Sequence, residues 1–364
     1  MDVHARNTVY VVQDSEGRIL HRGRVTTDEK GVKELVDRLG GECGAKAGLE
    51  SGSQSFWVSE VPSGLGMHPY VISAQEVRAK SRRPNQKSDS RDAFEICDGL
   101  RRDIYTSMVY VPSREARQLR TLLYRRRHFV RLCTSQVNAA KSILRSEGVI
   151  ISFGCLTTWA SWEKLLSRIE DPFFKDMVLM HAEVWREAQD KVEKLEEKLK
   201  FVSRAFKGVY DHLVTIPGVG KITALTFIAV IADPFRFPAS GEVVSYLGLS
   251  PSGWETGDRV VHGHITKRGN AELRAMLVET AHHASNVKHP LNPYFSRVCA
   301  KHGYKKAVVY IAQRLSRILW RMWIADEDFD VSKLNVVKES RTTTLVVKGH
   351  GAFRSSGAPL LFWC

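Results

Sequence analysis

The sequence predicts an α/β domain followed by mainly helical structure. Three observations carry this. Over residues 1–112, strand-like segments come first as a hairpin and then alternate with helical ones. Over 113–206, two long stretches carry apolar residues at three-four spacing. Over 207–325, short apolar helices are joined by glycine-bearing turns, and the pattern decays in a tail at 326–364. A chain of 364 residues suits two or three domains and can bury a sizeable core.

The elements follow in order. Thr8 to Gln13 reads as a strand, Asp14-Ser15-Glu16-Gly17 as a turn, and Ile19 to Thr26 as a second strand. Asp28 to Leu39 places Val32, Leu35, Val36 and Leu39 at helical spacing. A further strand ends near Leu49, Tyr70 to Ser73 is a short apolar strand, and one helix is expected from Ala74 to Leu100. Ser113 is a credible N-cap for a helix running to about Glu147. Its apolar stripe includes Leu119, Leu123, Val130, Cys133, Val137, Ala140 and Leu144. A second long helix carries Val178, Trp185, Ala188, Val192, Leu195, Leu199 and Val202, with Glu and Lys on its flanks. That pattern predicts a coiled coil, within one chain or between copies. Between them, Val149 to Pro172 is irregular apart from a short helix near Trp159 to Ile169.

In the last third, Ile216-Pro217-Gly218-Val219-Gly220-Lys221 has the form of a helix-hairpin-helix turn. Gly218 and Gly220 permit a bend, and free amides there can hold a phosphate oxygen beside the Lys221 charge. A tight helix-helix turn of purely structural purpose would use the same glycines. An apolar core helix follows over Thr223 to Ile231, then a short helix from Glu242 to Leu247. Pro251 to Gly263 is expected to be a polar loop containing Ser252, Glu255 and Thr256. Thr266-Lys267-Arg268-Gly269-Asn270 is a basic turn that caps a helix over Ala271 to Ala284, and a final helix spans Lys305 to Trp323. His350 to Cys364 reads as a poorly packed tail.

Charge narrows the function. There are 54 Lys and Arg against 40 Asp and Glu, a net charge of +14, which points to a polyanionic partner such as nucleic acid. Arg120, Arg125, Arg126, Arg127, His128 and Arg131 form the densest basic cluster, either a phosphate-tracking helix face or a solvated one. The six cysteines form no C-x-x-C pair, which argues against a zinc knuckle or disulfide framework and for a reducing, cytoplasmic setting. No apolar run is long enough to span a bilayer. Four acids stand out: Asp2, Glu50, Asp89 and Asp92. Asp89 and Asp92 are three apart on a helix and share a face. Carboxylates gathered from strands and a helix can hold two Mg²⁺ ions for phosphodiester chemistry. Taken singly, each acid is more simply a solvated surface group.

Six segments together carry a resemblance: Asp2-Val3-His4, Glu50-Ser51-Gly52, Lys87 to Ala93, the Ile216 to Gly220 hairpin, Tyr246 to Pro251, and Ile265 to Asn270. Over residues 1–325 the chain resembles the DEDD transposases of the IS-one-ten insertion-sequence type. The resemblance implies a RuvC-like domain of RNase H fold at the N-terminus, with Asp2, Glu50, Asp89 and Asp92 as a Mg²⁺-binding tetrad. It implies a C-terminal transposase domain whose hydroxyl attacks DNA to give a covalent protein–DNA intermediate. It further implies a structured guide RNA from the flanking element, donor and target DNA as substrates, and a homodimer that assembles as a tetramer on DNA. Where the family has a serine before a glycine, this chain has Thr256 before Gly257. Only Met1 precedes the first acid, so the first strand is expected to be short. A metal-dependent, structure-specific nuclease and an inactive nucleic-acid-binding protein remain as alternatives.

Overall fold

β-Branched residues dominate Asn7–Gln13, and their alternation decides the layering of the N-terminal part. The computed structural model describes residues 1–38, 45–64, 66–81, 88–151, 156–256 and 259–335. Its contacts divide into two compact units: Met1–Lys207 with Leu225–Arg236, and Gly208–Ala224 with Phe237–Cys364.

In the first unit, β1 (Asp2–Val3), β2 (Asn7–Gln13) and β3 (Ile19–Thr26) form an antiparallel sheet in that order. Helix α1 (Glu29–Arg38) follows, then β4 (Lys46–Glu50), α2 (Ser55–Gly64) and β5 (His68–Ile72), with β4 and β5 parallel. Met1 joins the two sheets, because its amino group donates to the Gly48 carbonyl at 2.7 Å. Both faces of β2 are buried. Val9 and Val11 pack with Ala93 on one side, while Tyr10 packs with Val25 and Leu35 on the other. Such two-sided burial makes a strand near-continuously apolar, as here.

The expected single helix over 74–100 is two helices, α3 (Ala74–Lys80) and α4 (Asp89–Arg101). Helix α3 stops at Ser81, whose ψ of 130° is extended. Residues 82–87, including Lys87 of the resemblance, lie outside the described residues. Helix α2 was not expected, since its Trp57, Val58 and Val61 are crowded by serines and a proline that mask the helical period.

Helix α5 (Arg114–Ser146) begins at the anticipated cap, with the Ser113 side chain accepting from the Ala116 N–H. Helices α6 (Trp159–Leu166) and α7 (Pro172–Val202) complete the unit's long-helix layer. Gln136 meets His181, Cys133 meets Gln189 and Arg126 meets Glu196, so α5 and α7 run antiparallel. Fully buried Trp162 lies between them, 5.9 Å from the Trp185 ring.

The chain continues through α8 (Lys207–Leu213) and α9 (Lys221–Ile231), whose later half belongs to the first unit. Then come α10 (Ser240–Tyr246), β6 (Pro251–Thr256), β7 (Arg259–Ile265), α11 (Ala271–His282), α12 (Asn292–His302) and α13 (Tyr304–Ala325). Buried Ala307, Val308, Ile311, Ala312, Leu315 and Leu319 make α13 the spine of the second unit, packed by α10, α11 and α12. The tail expected over 326–364 is described only to residue 335, where 331–335 form a single 3₁₀ turn. Among the described residues, no helix is long and apolar enough to cross a membrane.

Candidate active site and nucleic-acid interface

Asp2 is fixed by its neighbours. It pairs with Val9 across the β1–β2 ladder, directly after the residue tied to Gly48. Residues two apart on an extended segment share a face, so His4 lies on the same side as Asp2. The first turn of α4 brings Asp89 to that side. One ligand atom from each of Asp2, His4 and Asp89 lies within 4.8 Å of the others. His4 Nε2 is 3.0 Å from an Asp2 oxygen and 3.3 Å from an Asp89 oxygen. Arg24 of β3, in register with Val9, reaches the other Asp89 oxygen at 3.8 Å.

Of the four predicted acids, the structure therefore brings Asp2 and Asp89 together. Asp92 is on the same first helical turn, with its N–H bonded to the Ser88 carbonyl. Glu50 ends β4, paired with Ile72. It faces the α4 side, where burial first, and then the charges of Glu95, Glu76, Asp98 and Glu50, push the Tyr105 hydroxyl up to about 12. Neither Glu50 nor Asp92 belongs to the compact group around His4.

In the second unit, the expected polar loop over 251–263 is instead a β-hairpin. Trp254, Val260, Val261 and Ile265 supply the β-forming side chains that its small polar residues obscured. Thr256 is the last residue of β6, paired with Arg259, so it stands at the hairpin tip. Ser252, the other hydroxyl of this segment, donates to the His264 carbonyl at 2.8 Å and is occupied inside the hairpin.

The hairpin's base is an interlock of two of the resemblance segments. Lys267 N–H bonds to the Gly248 carbonyl at 3.1 Å, and Thr266 N–H to the Ser250 carbonyl at 2.9 Å. Gly248 has φ +67°, and a Cβ there would lie 2.0 Å from the Arg268 carbonyl oxygen. Gly269 has φ +73°, and a Cβ there would lie 2.0 Å from the Tyr246 carbonyl oxygen. Arg274 clamps the junction by donating to both Leu247 and Arg268 carbonyls. Asn270 caps α11 through Leu273 N–H at 2.8 Å, the role its position predicted.

The turn between α8 and α9 has the expected glycine geometry. Gly218 adopts φ +86°, and Val219 N–H closes on the Ile216 carbonyl. Gly220 has open space around its Cβ position, and Lys221 opens α9 with an exposed side chain. The basic cluster on α5 does not form one free face. Arg120 donates twice to the Ala229 carbonyl, and Arg126 pairs with Glu196 at 2.7 Å. Arg127 is half-buried, whereas Arg125, His128 and Arg131 are exposed. Lys267 and Arg268 are exposed beside the hairpin base.

Two family models match the chain. An IS110-type DEDD transposase model matches residues 1–147, and a model described as the transposase IS116/IS110/IS902 family matches residues 210–296. The chain belongs to the IS110-type transposases.

The first match spans all four acids of this transposase, and the second spans Gly218, Gly220, Thr256, Lys267 and Arg268. A putative transposase y4pF/y4sB of Sinorhizobium fredii is 26% identical over 77% of this chain and 73% of its own length. The transposase for insertion sequence element IS1111A of Coxiella burnetii is 26% identical over 73% of this chain and 74% of its own. A probable family 20 transposase of Pseudomonas aeruginosa is 26% identical over 74% of this chain and 81% of its own. DEDD transposases use divalent metal ions, and the donor set fits one: two carboxylates and an imidazole converge from separate elements. Sequence reasoning gave no role to His4 or Arg24. The i, i+2 spacing of Asp2 and His4 along an extended segment is the signal for the first. Arg24 depends on strand register, which no local pattern reveals.

Proposed function

We propose that this transposase carries out RNA-guided, Mg²⁺-dependent cleavage and exchange of DNA strands, with Thr256 as nucleophile. The observation that carries the reading is the meeting of Asp2 and Asp89, distant in sequence, on one side of the sheet. Strand neighbours support an RNase H-like arrangement: β3, β2 and β1 in order, with Met1 bonded to β4 and β4 parallel to β5.

In this reading Asp2, Glu50, Asp89 and Asp92 hold Mg²⁺, which supplies charge neutralisation at the scissile phosphate. The Thr256 hydroxyl attacks phosphorus, forms a protein–DNA phosphoester and releases a DNA hydroxyl as leaving group. Threonine's β-methyl leaves its hydroxyl fewer rotamers than serine has. The amides of Gly218 and Gly220, Lys221, and the exposed Arg125, Lys267 and Arg268 position the nucleic-acid backbone without reading sequence. The paired α5 and α7 form a coiled-coil spacer in an assembly of two dimers, and an RNA from the element's flank selects donor and target.

The test is to purify the protein from cells carrying its gene with native flanking DNA and to sequence the bound nucleic acid. One discrete RNA from the flank is expected, and adding it should permit strand exchange that Thr256→Ala abolishes. The replacement of the family's serine by Thr256 favours one other reading, cleavage by activated water. In that case Thr256→Ala would cut DNA as fast as the parent.

A further inference from the structure

We propose that His4 is a further ligand of the metal site, so that the site accepts Mg²⁺ but holds a nitrogen-tolerant divalent ion such as Mn²⁺ more tightly. The proposal rests on the metal-site reading above and adds a residue outside the four acids.

The argument starts from the backbone. His4 follows β1 directly, and its N–H bonds to the Asn7 carbonyl at 3.1 Å, closing the tight connection to β2. Its ring is thereby held over the same sheet face as Asp2 and beneath the first turn of α4. Nε2 then stands between two carboxylates, at 3.0 Å and 3.3 Å. Adjacent ligands on an octahedral ion at about 2.1 Å lie about 3.0 Å apart. Two of the three donor pairs thus already have the spacing of neighbouring vertices around one cation, and all three atoms lie within 4.8 Å of one another.

The chemistry then sets a preference. Mg²⁺ takes oxygen ligands and keeps its waters, whereas imidazole suits first-row transition ions, of which Mn²⁺ is the one that shares the preference of Mg²⁺ for carboxylate oxygen. Adding the His4 imidazole to the carboxylates of that site therefore makes it bind Mn²⁺ more tightly than Mg²⁺. His4 has a second conceivable role as a stand-in cation that leaves when the ion arrives. The two roles predict opposite signs: losing a ligand weakens Mn²⁺ binding, and losing a competitor strengthens it.

The experiment uses the full chain. Mn²⁺ and Mg²⁺ binding is titrated calorimetrically for the parent, His4→Ala, His4→Gln and Asp89→Asn, with circular dichroism confirming folding. His4 is 44% exposed at its side chain, so its removal leaves the core intact. Tighter Mn²⁺ than Mg²⁺ binding is expected in the parent. In His4→Ala, Mn²⁺ affinity should fall about tenfold or more, as for loss of a ligand, while Mg²⁺ affinity changes little. Bound Mn²⁺ should also show an imidazole-nitrogen coupling by electron-spin-echo spectroscopy, absent from both His4 variants. Unchanged or tighter Mn²⁺ binding in His4→Ala, or no nitrogen coupling in the parent, overturns the proposal. If Asp89→Asn binds Mn²⁺ as the parent does, the metal-site reading itself fails, which is a separate outcome. A parent that binds neither ion overturns both.

Discussion

Replacing Gly248 by alanine tests whether the hairpin carrying Thr256 stands on the Gly248–Gly269 interlock. At φ +67° an L-residue pays about 1–2 kcal/mol. The new Cβ would sit 2.0 Å from the Arg268 carbonyl oxygen and 2.6 Å from its nitrogen, where real contacts stay above 3.0 Å. Both obstacles are backbone, so the two segments must part by about 1 Å. Parting them strains the Lys267–Gly248 hydrogen bond, whose net contribution is about 1 kcal/mol. These two terms give about 2–3 kcal/mol and overpacking by the new methyl adds about 1–2 kcal/mol, which places Gly248→Ala at about 3–5 kcal/mol, in the severe range for a point substitution. Thermal unfolding should fall by roughly 6–20 °C, and DNA strand exchange should fall with it. Gly241→Ala is the control, because its Cβ meets nothing within 4 Å and it lies inside α10. A Gly248→Ala protein melting within about 2 °C of the parent, or a Gly241→Ala protein losing as much, would refute the reasoning.

Other expectations follow from the same geometry. Gly220→Ala should fold normally, since its Cβ meets nothing within 4 Å, yet bind DNA several-fold more weakly in a filter or fluorescence assay if backbone approaches phosphate there. Asp89→Asn, half exposed, should keep its melting temperature and lose divalent-metal-dependent cleavage. Arg126→Ala should lower stability by about 0.5–1 kcal/mol through loss of the Glu196 pair. Arg125→Ala should leave stability unchanged and reduce the salt slope of DNA binding by about one. Burial opposes ionisation of Glu76, but hydrogen bonds from Lys80, Thr106 and Ser107 outweigh it and hold the carboxyl at about 2, against an ordinary 4.5. That stabilisation is complete above pH 4.5 and is lost as pH falls toward 2, so Glu76→Gln should flatten the acid limb of the stability curve and destabilise at neutral pH.

Local signals made much of the fold legible. The β2–β3 hairpin, α1, the Ser113 cap of α5 and the Asn270 cap of α11 all rest on short-range periodicity or capping chemistry. From sequence, the hairpin over β6 and β7 resembles a loop because glycine, serine and glutamate interrupt its β-forming residues. Helix α2 was hidden by Ser55, Ser59 and Pro62 among its apolar positions. At the candidate site, Asp2 and Asp89 were identified as acids of interest, but their meeting with His4 and Arg24 depends on strand register and on where α4 starts. Arg120 and Arg126 were grouped with Arg125 by sequence proximity, yet successive helical residues point in different directions. Two of the three are turned inward to Ala229 and Glu196.

The most direct measurement is the chemical identity of the protein–DNA linkage. The purified protein would be incubated with element-end DNA, its co-purified RNA and Mg²⁺, then denatured and digested, and nucleotide-bearing peptides sequenced by mass spectrometry. A nucleotide esterified to Thr256 is the predicted result, absent from Asp89→Asn. Nicked DNA accumulating with no adduct, or an adduct on another side chain such as Ser252, would contradict the assignment of Thr256 as the nucleophile.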